Sequence, residues 1–236
     1  MKVQFVTSMS YEGWKEYGEK MLASVHTHWH PDLKLTVYGH DFPDGVTPQL
    51  SPSCPSYHEF RSLHDVDGHD DYMERMAQHD GTEGGSIEYN WRLDSIKFAH
   101  KVFALTDLAM EISGETKDGG WLCWIDADTI TNTSFSEKNV LDILAKNAHL
   151  AHLGRTDTDY SETSFMAFNT AYEAPIMLLA DLRGCYEIGE VLSYREWHDG
   201  FIFERLLKVY IAHGMKVQNL TPNCKGLTAF QQSPLS

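Results

Sequence analysis

The sequence is short of positive charge: 19 Lys and Arg stand against 34 Asp and Glu in 236 residues, a net charge of −15 at pH 7. Such a balance repels phosphate polymers and anionic membranes and argues against general nucleic-acid binding. Long apolar runs are missing too, and no stretch approaches the roughly eighteen residues that span a bilayer. The four cysteines, Cys54, Cys123, Cys185 and Cys224, are scattered and form no Cys-x-x-Cys pair. That excludes the usual zinc and redox motifs and leaves reduced thiols of a cytosolic protein. The opening "MKVQFVTSMS" has neither the apolar core nor the small-residue cleavage site of a secretory leader. These absences lead us to expect a soluble, cytoplasmic protein, and the chain has no internal repeat or low-complexity tract.

What is present is an ordinary globular composition, 42% hydrophobic and 22% charged, enough to bury one core in one domain spanning residues 1–236. "VQFVTS" alternates like a strand, and "YEGWKEYGEKMLASVHTHW" follows with apolar residues at helical spacing. "LKLTVYGHDF" reads as a second strand, closed by the turn "FPDG" and the Pro/Ser-rich loop "TPQLSPSCPSY". This β-α-β opening implies a parallel pair. The polar stretch that starts at His64 carries His64, Asp65, Asp67, His69, Asp70 and Asp71, at a spacing that matches neither an EF-hand nor a His-x-x-x-His zinc helix. It reads as a solvated acidic excursion, partly helical.

"YNWRLDSIKFAHKVFALTDLAMEIS" is the clearest helix, with Phe98, Val102, Leu105, Ala109 and Ile112 on one stripe and Arg92, Lys97 and Lys101 read as lying off it. The strand "WLCWI" comes next, then a helix in "SEKNVLDILAKN" capped by Ser136. Strands in "AHLAHLG" and "TSFMAFN" follow, then helices in "AYEAPIMLLADL" and "DGFIFERLLKVYIAHG", the latter stopped by Gly214, and a last strand "MKVQNL". The alternation predicts an α/β layered fold with a mostly parallel sheet, whose ligands lie beyond the carboxyl ends of its strands.

At one such end stands "WIDADT". Asp126 and Asp128 are two apart, so on extended chain they point the same way and repel unless a cation lies between them. Hard oxygen ligands suit Mg²⁺ or Mn²⁺, and these in turn bind phosphate oxygens. The bland alternative is a turn capped by Asp128. An apolar strand with two acids and a βα context on both sides favours a cation and a phosphorylated substrate.

Two enzyme families use this pattern. "WIDADT" matches the Asp-x-Asp-x-Thr of haloacid-dehalogenase-like phosphatases, which would make Asp126 a nucleophile. Their motif opens the core fold, however, and an acidic pair ends a later strand. Here the motif lies past mid-chain and no such pair follows.

More of the chain resembles the GT-A glycosyltransferases, notably the glycogenin-like group. That resemblance implies a single Rossmann-like GT-A domain. It also implies a hexosyltransferase using a nucleotide-diphosphate sugar, a UDP-sugar in the first instance, with a hydroxyl acceptor. Asp126 and Asp128 would hold Mn²⁺ or Mg²⁺ against the diphosphate, with Asp126 acting directly or through the ribose. Thr7 and Ser8 would form the nucleotide edge. Arg92 and Lys97 would either offset charge on the leaving diphosphate or solvate a helix face. Asp199, in "EWHDGF", would accept a proton, orient the sugar or cap the next helix. Glu162 and Asp157 would meet sugar hydroxyls.

The resemblance breaks at the C-terminus. The family places a third metal ligand there, a histidine followed by a Gly and a Lys that meets the diphosphate. No histidine follows His213 here. Lys225-Gly226 would supply the phosphate contact, and either His198 or water completes the metal shell, or the sequence lacks a C-terminal segment. A binding module that keeps the acids without turnover is the non-enzymatic alternative. A modified DNA base is a remote acceptor, given the net charge.

Overall fold

A computed structural model describes residues 2–48, 58–82, 88–115 and 119–225. Most of the Pro/Ser-rich loop, Cys54 and everything from Gly226 onward lie outside the described residues.

The chain opens with β1 (Lys2–Ser10), a helical segment made of α1 (Tyr11–Gly13), a π-helical turn (Trp14–Gly18) and α2 (Glu19–His28), and then β2 (Lys34–His40). β1 and β2 pair in parallel, as the β-α-β reading requires. Next come β3 (His58–Ser62), α3 (His69–Met76), the long α4 (Ser95–Glu115) and β4 (Gly120–Ile125). The rest of the described chain is α5 (Glu137–Ile143), β5 (Leu150–Leu153), β6 (Glu162–Asn169), α6 (Glu173–Glu187), α7 (Asp199–Ala212) and β7 (Val217–Asn219).

The seven strands form one sheet in the order β3-β2-β1-β4-β6-β5-β7. Four of its pairings are parallel; β6 runs antiparallel to both β4 and β5. The connection from β5 to β6 is too short for a crossover helix, so those strands can only return antiparallel. β3 is a strand that the sequence reading did not anticipate. "HEFRS" has no apolar alternation, and it holds its place as an edge strand through backbone pairing with β2.

Alternation along the central strands places apolar residues on both faces of the sheet. Val3, Phe5, Trp121, Cys123, Phe165 and Ala167 pack with Met21, Leu22 and Val25 of α2 and Val140 of α5. Val6, Leu122, Trp124, Met166 and Phe168 pack on the other face with α4, α6 and α7. The result is a three-layer α/β/α sandwich. Among the described residues, no helix is long and apolar enough to cross a membrane. Cys123, Cys185 and Cys224 are buried and form no disulfide among the described residues.

Candidate active site

β4 is parallel to β1 and sits mid-sheet, so its carboxyl end opens beside the carboxyl ends of β1 and β2. A cavity of about 680 Å³ lies there. Ser8, Met9 and Ser10 line it from β1, His40 from β2, and Trp124, Asp126, Ala127 and Asp128 from β4 and its exit. The start of α4 adds Ile96, Lys97, Phe98, His100 and Lys101. Thr163 and Asp199 close one wall.

Period-two alternation puts Asp126 on the same face as Trp124 and Leu122, toward α4. The Trp124 indole N–H accordingly donates to Asp126 Oδ1 at 2.7 Å. Lys101 of α4 reaches the same oxygen at 3.2 Å and Asp199 Oδ2 at 3.0 Å, and its ammonium also donates to the Thr163 carbonyl. It lies 4.8 Å from the centre of the Trp124 ring as well. Burial alone would lower the Lys101 pKa, but Asp126 and then Asp199 outweigh it and hold the ammonium charged above its ordinary range. Burial likewise works to raise Asp199, yet the Lys101 charge, helped by Thr163 and His198, keeps its carboxyl below the usual carboxylate range.

Lys101 is the residue that the sequence reading misplaced. Helical spacing alone sets it off the apolar stripe, but it lies three residues after Phe98 and four before Leu105, on the stripe's edge and over the sheet. Only 8% of the residue is exposed. A lysine at a stripe position was the available signal, because the core accepts one only beside carboxylates.

Asp128 is different. It lies past the strand end, is exposed, and has its pKa raised by desolvation first and by Asp126 second. Two carboxylates on one cavity supply the hard oxygen donors that suit Mg²⁺ or Mn²⁺, although Lys101 already pairs with one of them. Among the described residues, no group of three metal-type ligands includes either acid.

The remaining predicted residues divide by position. Ser8 and Lys97 line the cavity with Asp126, Asp128 and Asp199. Thr7, next to Ser8 on the strand, points the other way; it is fully buried and its hydroxyl has no hydrogen-bond partner among the described residues. Arg92 lies outside the lining, over the Trp91 ring and 3.5 Å from Glu196. Glu162 is turned to Arg155 at 3.2 Å and accepts from the Ser164 hydroxyl at 2.7 Å. Asp157 and Lys225 are exposed and do not line the cavity.

His198 uses both of its nitrogens. Nδ1 accepts from the Phe201 N–H as the cap of α7, and Nε2 pairs with Glu196 at 3.0 Å. The cap of α7 is thus His198, and Asp199 is left to face Lys101.

No family model and no curated protein matches the sequence. Among solved structures, mouse xyloside xylosyltransferase 1 in its apo form superposes with a TM-score of 0.54 at 10% identity, over 100% of this chain and 94% of that one. At that identity the likeness speaks for architecture. The chain has the mixed α/β fold of GT-A glycosyltransferases, with a seven-stranded, mostly parallel central sheet.

Proposed function

We propose that the protein is a metal-dependent glycosyltransferase that moves a hexose from a nucleotide-diphosphate sugar, a UDP-sugar in the first instance, to a hydroxyl acceptor. The observation that carries this reading is the convergence of Asp126, Asp128 and Lys97 on one cavity at the carboxyl ends of the central strands. In open α/β sheets that is where ligands are held. Asp128 and Asp126 would hold Mn²⁺ or Mg²⁺, which when bound supplies positive charge against the leaving diphosphate. Lys97, exposed at the cavity, adds a cation on the same wall.

Lys101 and Asp199 act by positioning in this reading. Lys101 fixes the Asp126 carboxylate from below, and Asp199 balances Lys101. Asp199 is buried with Oδ2 3.0 Å from the Lys101 ammonium, so its part in this reading is to orient that cation. Ser8 lines the cavity and would meet the nucleotide.

The test is a screen of UDP-glucose, UDP-galactose, UDP-N-acetylglucosamine and UDP-xylose for Mn²⁺-dependent release of free nucleotide, with Asp128→Asn as control. UDP-xylose is included because the structural neighbour is a xylosyltransferase. We expect release with one of the three hexose donors and at least a hundredfold loss in the variant; release from UDP-xylose alone would replace the hexose by a pentose. Hydrolysis of simple phosphoesters with no nucleotide release would instead support the phosphatase reading. Tight donor binding without turnover would support a binding module.

A further inference from the structure

Four histidines meet behind one wall of the cavity. His40, at the end of β2, stacks on His100 of α4 with ring centres 3.6 Å apart and planes 12° from parallel. His100 Nδ1 lies 3.1 Å from His69 Nε2. His69, 1% exposed, turns its other nitrogen to Asp70 Oδ1 at 2.8 Å, and His64 Nδ1 meets the same oxygen at 2.8 Å. The segment expected to be a solvated acidic loop is therefore anchored in the molecule by a buried imidazole.

We infer that His64, His69 and Asp70 form a binding site for a divalent transition metal of the zinc class, separate from the Asp126/Asp128 pair. One ligand atom from each of the three lies within 4.8 Å of the other two. Zinc bonds of about 2.0–2.1 Å in tetrahedral geometry place ligand atoms about 3.3 Å apart, so the two 2.8 Å contacts to Asp70 open and the His64–His69 edge, within 4.8 Å, settles to the same length. His64 and Asp70, with side chains 52% and 57% exposed, are free to make that adjustment while His69 stays fixed. Two imidazole nitrogens and one carboxylate leave a fourth position for water. Imidazole and carboxylate together suit zinc better than the oxygen-only sites that magnesium prefers.

The proton count closes without loss. Both Nδ1 atoms lie 2.8 Å from one carboxylate oxygen, a contact that neutral rings make with their protons on Nδ1. On metal binding, each of these protons passes to Nε2 of its own ring, and the His100 proton passes from Nδ1 to Nε2, which leaves His100 Nδ1 free to accept. His69 Nε2–H then donates to His100 Nδ1, and the stack on His40 holds His100 in place. A ligating histidine oriented through its second nitrogen is the common arrangement around metals.

The test uses the full chain without a polyhistidine tag, titrated with Co²⁺ and followed by its visible absorption, and then displaced by Zn²⁺. Wild type is expected to show one equivalent of intense, low-symmetry, four-coordinate absorption, distinct from the weak six-coordinate absorption of Co²⁺ at Asp126 and Asp128. Asp128→Asn should leave that spectrum and affinity unchanged, whereas His64→Ala and Asp70→Asn should each weaken binding at least tenfold. Metal-free melting checks the folding of the variants; if His64→Ala melts early, Asp70→Asn alone decides. Absence of the spectrum in wild type, or unchanged affinity in Asp70→Asn, would overturn the assignment. Neither result depends on whether the chain transfers sugars.

Discussion

Asp126 and Asp128 are neighbours on one cavity, yet their surroundings divide the work. Asp126 is held by the Trp124 indole and the Lys101 ammonium, so its orientation is set before any ligand arrives. Asp128 is raised by desolvation and by Asp126, and in the metal-free protein that strain opposes folding. The sign follows from linkage. A carboxyl raised in the folded state costs nothing while both states are protonated, and its cost grows as pH climbs above the ordinary value of 3.8 through the folded one. We expect Asp128→Asn to raise the melting temperature of the metal-free protein at pH 7, with the gain closing toward pH 4. Calorimetry across that range would reject the idea if the variant were less stable at pH 7. The same variant loses activity in the proposed reaction, so the residue trades stability for function.

α4 is the element that assembles the site, because it lies across the sheet and contributes Lys97, His100 and Lys101 to the cavity while burying Val102, Leu105 and Ala109 against it. Lys101 also ties three elements together, joining α4 to the end of β4 through Asp126 and to the start of α7 through Asp199. Removing one partner of a buried ion pair leaves its mate uncompensated, at a cost of about 3–5 kcal/mol. Lys101→Met is expected to lose stability of that order in urea unfolding at pH 7. Asp199, whose folded pKa is depressed, contributes stability that is present above its ordinary value of 3.8 and fades as pH falls below it. The deficit of Lys101→Met should therefore narrow below about pH 4, and a constant deficit would show that the loss is one of packing instead.

At the scale of the molecule, a net charge of −15 repels a nucleoside diphosphate. Local cations, Lys97 and the metal that Asp126 and Asp128 would hold, must overcome that field. UDP should accordingly leave the melting temperature unchanged in chelator and raise it by several degrees when Mn²⁺ is added, since a ligand at a hundred times its Kd contributes about 2.7 kcal/mol. A shift of equal size in chelator would separate nucleotide binding from the acids. Charge of this magnitude is also consistent with a protein that keeps away from nucleic-acid surfaces.

The alternation of strands and helices, the parallel opening and the "WIDADT" strand end were all legible in the sequence, because each depends on periodicity within a few residues. So was the repulsion between Asp126 and Asp128, since side chains two apart on an extended strand must share a side. Tertiary structure decided the rest. β3 exists because β2 offers it an edge, and β6 reverses because its link to β5 is short. Lys101 becomes the counter-ion of two acids, one 25 positions ahead and one near the start of α7, because α4 packs over β4. Glu162 turns to Arg155, and His198 takes the cap that is one of three roles the sequence leaves open to Asp199. His40, His100 and the His64–His69 stretch come from three separate segments, so only the folded sheet and the helices laid on it could bring their rings together.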